Sequence, residues 1–314
     1  MSFLREIGGY MELDRYHLPM LHEGALALNC GRNALRYLIE CKHIQKLLLP
    51  LFLCDTVKSV CRDVSCRFYR IRPDFTPEPL FPEPDEWVYV VNYYGQLSGT
   101  PLDFLRAACP NLIVDNAQAY FASPFPETDT LYTCRKFFGV PDGAFLYTNA
   151  PLASLPTDES FDHMHYLLGR FERSGSEFYQ ESSLNNDRFD TEPVKFMSPL
   201  TKNLLHGIDY ASVERARSEN FAVLGDLLSS SNKLSVHPVP GPFAYPYLTD
   251  NGLKKKKLLA AKGIYIPTLW PEISSLAPSG STEAAFAEDI LPLPVDQRYT
   301  PDDMRYMVSQ LLSL

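Results

Sequence analysis

Residues Leu112–Tyr120 read LIVDNAQAY, an apolar run of strand length closed by Asp115, with Gln118 three residues further on. In an open α/β sheet, ligands collect beyond the carboxyl ends of the strands. An acid at that point therefore faces a ligand, or else caps the helix that follows. The next informative stretch is Leu131–Gly143, LYTCRKFFGVPDG, in which Lys136 stands among Tyr132, Cys134, Phe137 and Phe138. A lysine enclosed by such residues loses hydration of its ammonium form. Its pKa falls and the amine becomes a nucleophile suited to Schiff-base chemistry. The plainer alternative is a side chain that snorkels from an aromatic strand to water. The turn at Gly139 and Pro141-Asp142-Gly143 lets the backbone approach closely.

Toward the N-terminus, Asn29–Leu35 (NCGRNAL) opens the first clear helical pattern. Free N–H groups and the positive dipole end make such a helix start a phosphate cradle, although capping alone also explains it. Strand-like runs at Leu47–Leu53, Trp87–Asn92, Leu112–Asp115 and Gly143–Thr148 alternate with helical patterns around Ala34–Ile39, Asp55–Cys61 and Leu102–Arg106. That alternation predicts an open, mostly parallel α/β sheet with helices on both faces. Residues 174–195 are polar and aperiodic and read as a long surface connection. One long helix is expected from Pro199 to Ser229. Extended segments at Tyr245–Leu248, Ile264–Ile266 and Ile290–Pro294, with helices at Leu253–Ala261 and Pro301–Leu312, complete a small α+β domain. The expected division is thus a large domain over 1–198 and a small one over 199–314.

Composition narrows the function. The 314 residues are 45% hydrophobic and 21% charged, ordinary for a globular protein large enough to bury a core without disulfides or metal. With 29 Lys and Arg against 38 Asp and Glu, the net charge of −9 argues against a nucleic-acid partner. The one basic run, Lys254–Lys257, reads as a solvated helix face. The longest apolar run, Leu47–Cys54, is far shorter than the roughly 20 residues a bilayer requires. The N-terminal MSFLREIGGYMELD lacks the apolar core of a secretory signal. Seven cysteines, all between positions 30 and 134, form neither a disulfide framework nor a zinc spacing. Free thiols and a cytoplasmic location are expected. His17, His22 and His206 are isolated and read as packing or surface residues.

A helix-start cradle, an acid after a strand, and a lysine 21 residues later resemble the fold-type I pyridoxal-phosphate enzymes, and more closely the DegT/StrS sugar aminotransferases. Val114–Ala119 (VDNAQA) with Cys134–Gly143 (CRKFFGVPDG) is the most specific match. Further similarity lies in Ile7–Asp14, Val91–Asp103, Lys262–Glu272 and Ile290–Tyr299, so the resemblance spans nearly the whole chain. It implies that Lys136 bonds pyridoxal 5'-phosphate covalently and then shuttles a proton, while Asp115 keeps the pyridine nitrogen protonated. It implies also that Gln118 bonds a cofactor edge, and that Gly31, Arg32 and Asn33 hold the phosphate with Thr133 as a further ligand.

The implied reaction transfers nitrogen, with glutamate as donor and a nucleotide-linked keto-sugar as acceptor, in a homodimer. Asn185, Asn186 and Arg188 would reach the partner's phosphate. Four departures stand out: Gly-Arg replaces the family's Gly-Thr at 31–32, Leu131 replaces a hydroxyl residue, Asn92 replaces a histidine, and Cys54 lies near the expected ring-stacking position. Two alternatives remain open. One is a non-catalytic binding or scaffold protein that keeps the fold; the other is the same cofactor used for dehydration or racemisation. Lys136 argues against the sugar dehydratases, in which histidine takes its place.

Overall fold

The computed structural model describes residues 7–97, 99–151 and 154–314; Met1–Glu6, part of the segment read for a signal, lie outside them. In chain order, strand β1 (Leu26–Leu28) leads into α1 (Gly31–Cys41), β2 (Lys46–Pro50), α2 (Asp55–Val60), β3 (Ser65–Tyr69), β4 (Trp87–Val91) and α3 (Thr100–Ala108). Then follow β5 (Leu112–Asp115), β6 (Asp129–Thr133) and β7 (Ala144–Tyr147). These strands form one sheet in the order β1-β7-β6-β5-β4-β2-β3. The pairs β3–β2, β2–β4, β4–β5 and β5–β6 are parallel, whereas β7 runs antiparallel to both neighbours. The mostly parallel α/β sheet expected from the alternation is therefore present.

The central strands explain why. KLLLP, WVYVV and LIVD are buried almost throughout, as strands covered on both faces must be. Register then sets the site, because Asp115 lies opposite Val91 on one side and Leu131 on the other. Three strands that the pattern did not mark are β1, of only three residues, β3, a mostly exposed edge, and β6, buried throughout but opening on the polar pair Asp129-Thr130.

Beyond the sheet come α4 (His165–Glu172), α5 (Tyr179–Asp187), α6 (Pro199–Leu205), α7 (Tyr210–Leu228), β8 (Ala244–Leu248), α8 (Gly252–Ala261), α9 (Ile273–Leu276), α10 (Thr282–Asp289), β9 (Ile290–Pro294) and α11 (Pro301–Leu312). Strands β8 and β9 pair antiparallel and bury Tyr245, Leu291 and Leu293 against Phe221, Leu224, Leu259, Met307 and Leu311. Several expectations change here. The single helix over 199–229 is two, broken at Gly207, with Asp209 capping α7 through the Ser212 N–H at 3.0 Å. Ile264–Ile266 forms no strand. The 174–195 connection contains α5, a helix polar nearly all round whose one buried residue is Asn185, so no hydrophobic period announced it. Lys256 is buried rather than solvated, because it shares the inward face of α8 with Gly252 and Leu259. Burial lowers its pKa to about 8.

Gly143 shows why the turn before β7 needs glycine. Its φ is +113°, and a Cβ there would sit 3.1 Å from both Cys134 Sγ and Thr201 Cγ2. Its N–H meets Asn29 O at 2.6 Å and its carbonyl accepts from Cys134 N. Gly143→Ala should cost about 2 kcal/mol or more, read as a lowered urea midpoint. Gly139→Ala, with nothing nearer than Leu167 at 3.9 Å, should stay within about 0.5 kcal/mol. Equal effects at the two positions would contradict the steric argument.

Candidate active site

Asp115 ends β5 and is buried. Its Oδ2 accepts from the Tyr89 hydroxyl at 2.7 Å and its Oδ1 from the Ala117 N–H at 2.7 Å. Tyr89 comes from the neighbouring β4, so parallel pairing alone delivers the donor. Burial raises the Asp115 pKa, opposed in turn by the Lys136 charge and these two hydrogen bonds. Alongside β5, β6 ends at Thr133 and turns sharply through Cys134–Phe137, and this turn carries Lys136.

The Lys136 side chain is exposed to solvent, yet protein lies densely around its amine. Lost hydration lowers its pKa, and the Asp115 carboxylate is the largest force opposing that shift. Cys54 also acts on the ammonium, and the Phe243 ring lies 5.7 Å from Nζ. The next residue fixes the turn. Phe137 O accepts from Arg217 Nη2 at 3.2 Å and from Gln297 Nε2 at 2.8 Å. Arg217 is itself buried, donates to Gln297 Oε1 and Pro242 O, and is held by burial to a pKa of about 10.

Gly31 opens α1 behind Cys30, the N-cap residue. A Cβ on Gly31 would stand 3.9 Å from the Thr133 Cβ, so the threonine flanks the helix start. Gln118 is buried, accepts from the Tyr94 N–H at 2.9 Å, and leaves its Nε2 without a partner. With Asn92, Arg106 and Phe125 it also lines a cavity of about 420 Å³ that Lys136 does not reach.

The remaining expected ligands turn elsewhere. The Asn33 N–H faces Cys30 Sγ at 3.4 Å, and its Nδ2 donates to Asn29 Oδ1 and Pro193 O. The Arg32 guanidinium pairs with Asp190 and donates to Asn186 O and Oδ1, which leaves its backbone for the helix start. Asn185 donates to Pro141 O and Tyr166 Oη, and Arg188 to Asn185 Oδ1 and Asp158. Asn185, Asn186 and Arg188, expected to reach a partner, thus bond within their own subunit. Asn92 is fully engaged, accepting from the Leu97 N–H and donating to Asn116 Oδ1. Tyr89, Arg135 and Phe243 were not singled out. The central tyrosine of WVYVV, two residues before the register partner of the acid, was the readable signal.

His22 is a packing residue. It is buried with Nε2 2.8 Å from Tyr120 O, Nδ1 3.2 Å from the Tyr147 hydroxyl and its ring 4.1 Å from Tyr132. Burial lowers its pKa to about 4, so the fold holds it neutral. Unfolded chains protonate near 6.5, so this contribution is complete above that pH and is lost as pH falls toward 4. The loss is about 3 kcal/mol. Unfolding free energies of the protein and of His22→Gln should therefore converge between pH 6.5 and 4; parallel curves would refute the assignment.

No known family model matches this chain, and no curated protein sequence does. Solved structures do. The sugar aminotransferase CalS13 from Micromonospora echinospora superposes with a TM-score of 0.64 at 14% identity, over 92% of this chain and 87% of that one. DesV from S. venezuelae gives 0.65 at 16% identity, over 95% and 90%. The chain has their fold. A DegT DnrJ EryC1 StrS aminotransferase from Brucella abortus gives 0.62 at 13% identity, over 92% and 86%. In this fold Asp115 and the turn that carries Lys136 lie at the carboxyl ends of adjacent parallel strands, where α/β sheets bind ligands.

Proposed function

We propose that this chain is a pyridoxal-phosphate-dependent aminotransferase that acts on a nucleotide-linked keto-sugar with glutamate as donor, as a cytoplasmic homodimer. The observation that carries this reading is the placement of Asp115 at the end of β5 and Lys136 in the turn that follows the adjacent β6, near enough for each charge to act on the other. The residues also fit the cofactor in detail: a buried carboxylate for a ring nitrogen, the orphaned Gln118 Nε2 for a ring edge, and the Gly31 helix start beside Thr133 for a phosphate. When bound, pyridoxal phosphate supplies an aldehyde and a protonated ring that withdraws electrons from the substrate Cα.

Asp115 would hold the proton on the ring nitrogen, and Tyr89 and Ala117 hold Asp115 in place and favour its charged form against burial. Lys136, with its depressed pKa, keeps a neutral amine in reach at lower pH than a free lysine. It moves a proton at Nζ to and from the substrate. The Gly31 and Arg32 N–H groups at the start of α1 receive the anion. Free thiols at all seven cysteines suit a reducing compartment, and no helix among the described residues is long and apolar enough to cross a membrane. Phe171, Tyr179 and Leu184 are exposed on α4 and α5, an apolar surface that a second copy would cover.

Addition of the cofactor should give a yellow protein whose visible band is lost with borohydride, leaving a mass increment on the peptide that contains Lys136. Nitrogen from glutamate should then appear in a nucleotide keto-sugar. Label on a different lysine would end the proposal. Cys54, a thiol near the expected ring-stacking position, favours one other reading, a non-catalytic protein. Micromolar cofactor binding at Lys136 would exclude it.

A further inference from the structure

We propose that Arg135, beside Thr133 and the backbone N–H groups that open α1, forms a site within the subunit for a phosphate-type anion. The site deepens the cofactor reading above and, for the source of its anion, rests on it. This acidic chain gathers three guanidinium groups around one ring. The Cζ atoms of Arg188, Arg135 and Arg32 lie 4.1, 4.7 and 5.9 Å from the centroid of Phe189. Two of them have carboxylates: Arg188 pairs with Asp158 at 3.3 Å, and Arg32 pairs with Asp190.

Arg135 pairs with no carboxylate among the described residues. Its Nη2 donates to Asn186 Oδ1 at 2.9 Å, the same oxygen that accepts from Arg32 at 2.9 Å. Its Nε is buried without any acceptor. Two guanidinium groups sharing one neutral oxygen repel each other, and an enclosed charge without a counter-charge is strongly unfavourable. A dianion beside them removes both penalties, and the planar donor edge of arginine matches phosphate oxygens.

The chain path points to the same place. Arg135 immediately precedes Lys136, and Thr133, two residues earlier, stands against Gly31 at the first turn of α1. Where hydroxyl residues are absent at positions 32 and 131, arginine supplies the missing donors from the same subunit.

The test compares dissociation constants of pyridoxal phosphate, pyridoxal and inorganic phosphate for the intact protein, Arg135→Gln and Arg135→Lys, followed by absorbance and borohydride trapping, with phosphate read as a competitor. The expected result is a preference for the phosphorylated aldehyde over pyridoxal that shrinks at least tenfold in Arg135→Gln. Pyridoxal affinity should change less than twofold, and Arg135→Lys should recover part of the preference. Weakened inorganic phosphate binding with an unchanged preference would keep the site but assign its anion to the substrate. If neither quantity moves in Arg135→Gln, the proposal is overturned. Should that variant fail to fold, Arg135→Lys decides by the same ratio. Failure of either aldehyde to label Lys136 defeats the cofactor reading alone, since phosphate competition against a fluorescent anion still judges the site.

Discussion

Lys136→Ala should lower turnover by about 10⁴-fold while leaving the protein at least as stable as before. The first part follows from the two duties placed on one amine, covalent capture and proton transfer, since a positioned acid–base group alone contributes up to about 10⁴-fold. The second part follows from its surroundings. Among the described residues Nζ has no hydrogen-bonded partner, the Phe243 ring lies 5.7 Å away, and lost hydration already disfavours its charge. Alanine relieves that penalty, so the thermal midpoint should hold or rise, the trade expected where a site stores strain for function. Nitrogen transfer and melting temperature measured on one preparation check both halves. Residual turnover above a tenth of the original would remove Lys136 from the chemistry; lost activity with a collapsed fold would show that the lysine is structural.

Asp115→Asn is the second large effect. Asparagine keeps an oxygen for the Ala117 N–H and turns its NH2 toward the Tyr89 oxygen, which can accept, so the loop should survive. The charge does not. Losing one preorganised electrostatic partner from an active site costs roughly 10²–10³-fold in rate, about 3–4 kcal/mol. A second readout carries a sign. The carboxylate raises the Lys136 pKa, so its loss lowers that pKa further and moves the acid limb of the pH–rate profile to lower pH. An unmoved limb, or one shifted upward, would show that the two groups do not face each other.

Much of this architecture was legible because burial on both sides of a sheet writes an unbroken apolar run. LLLP, WVYVV and LIVD announced themselves in that way, and Asp115 was visible as the polar residue ending one of them. Lys136 was visible because a cation among aromatics is conspicuous. The partners were not. Tyr89 reads as another core aromatic until register sets it beside Asp115, and Phe243 reaches Lys136 from a hundred residues away. Arg32 was legible as a ligand only by position, and the fold spends its guanidinium on Asp190 and Asn186. The α5 helix escaped because a polar helix held by Asn185 and its neighbours leaves no stripe. Likewise Gly207 and Asp209 divide what the apolar positions alone join into one helix.

The grip of Arg217 and Gln297 on Phe137 O has a consequence for any attempt to take the protein apart. Both clamping residues lie well past position 198, yet the carbonyl they hold belongs to the residue next to Lys136. A fragment stopping there would retain every strand of the large sheet but release the turn carrying Lys136, the proposed nucleophile. Split-gene halves should therefore regain a trappable lysine only when recombined, and insertions at the 206–209 break should detune chemistry some seventy residues upstream.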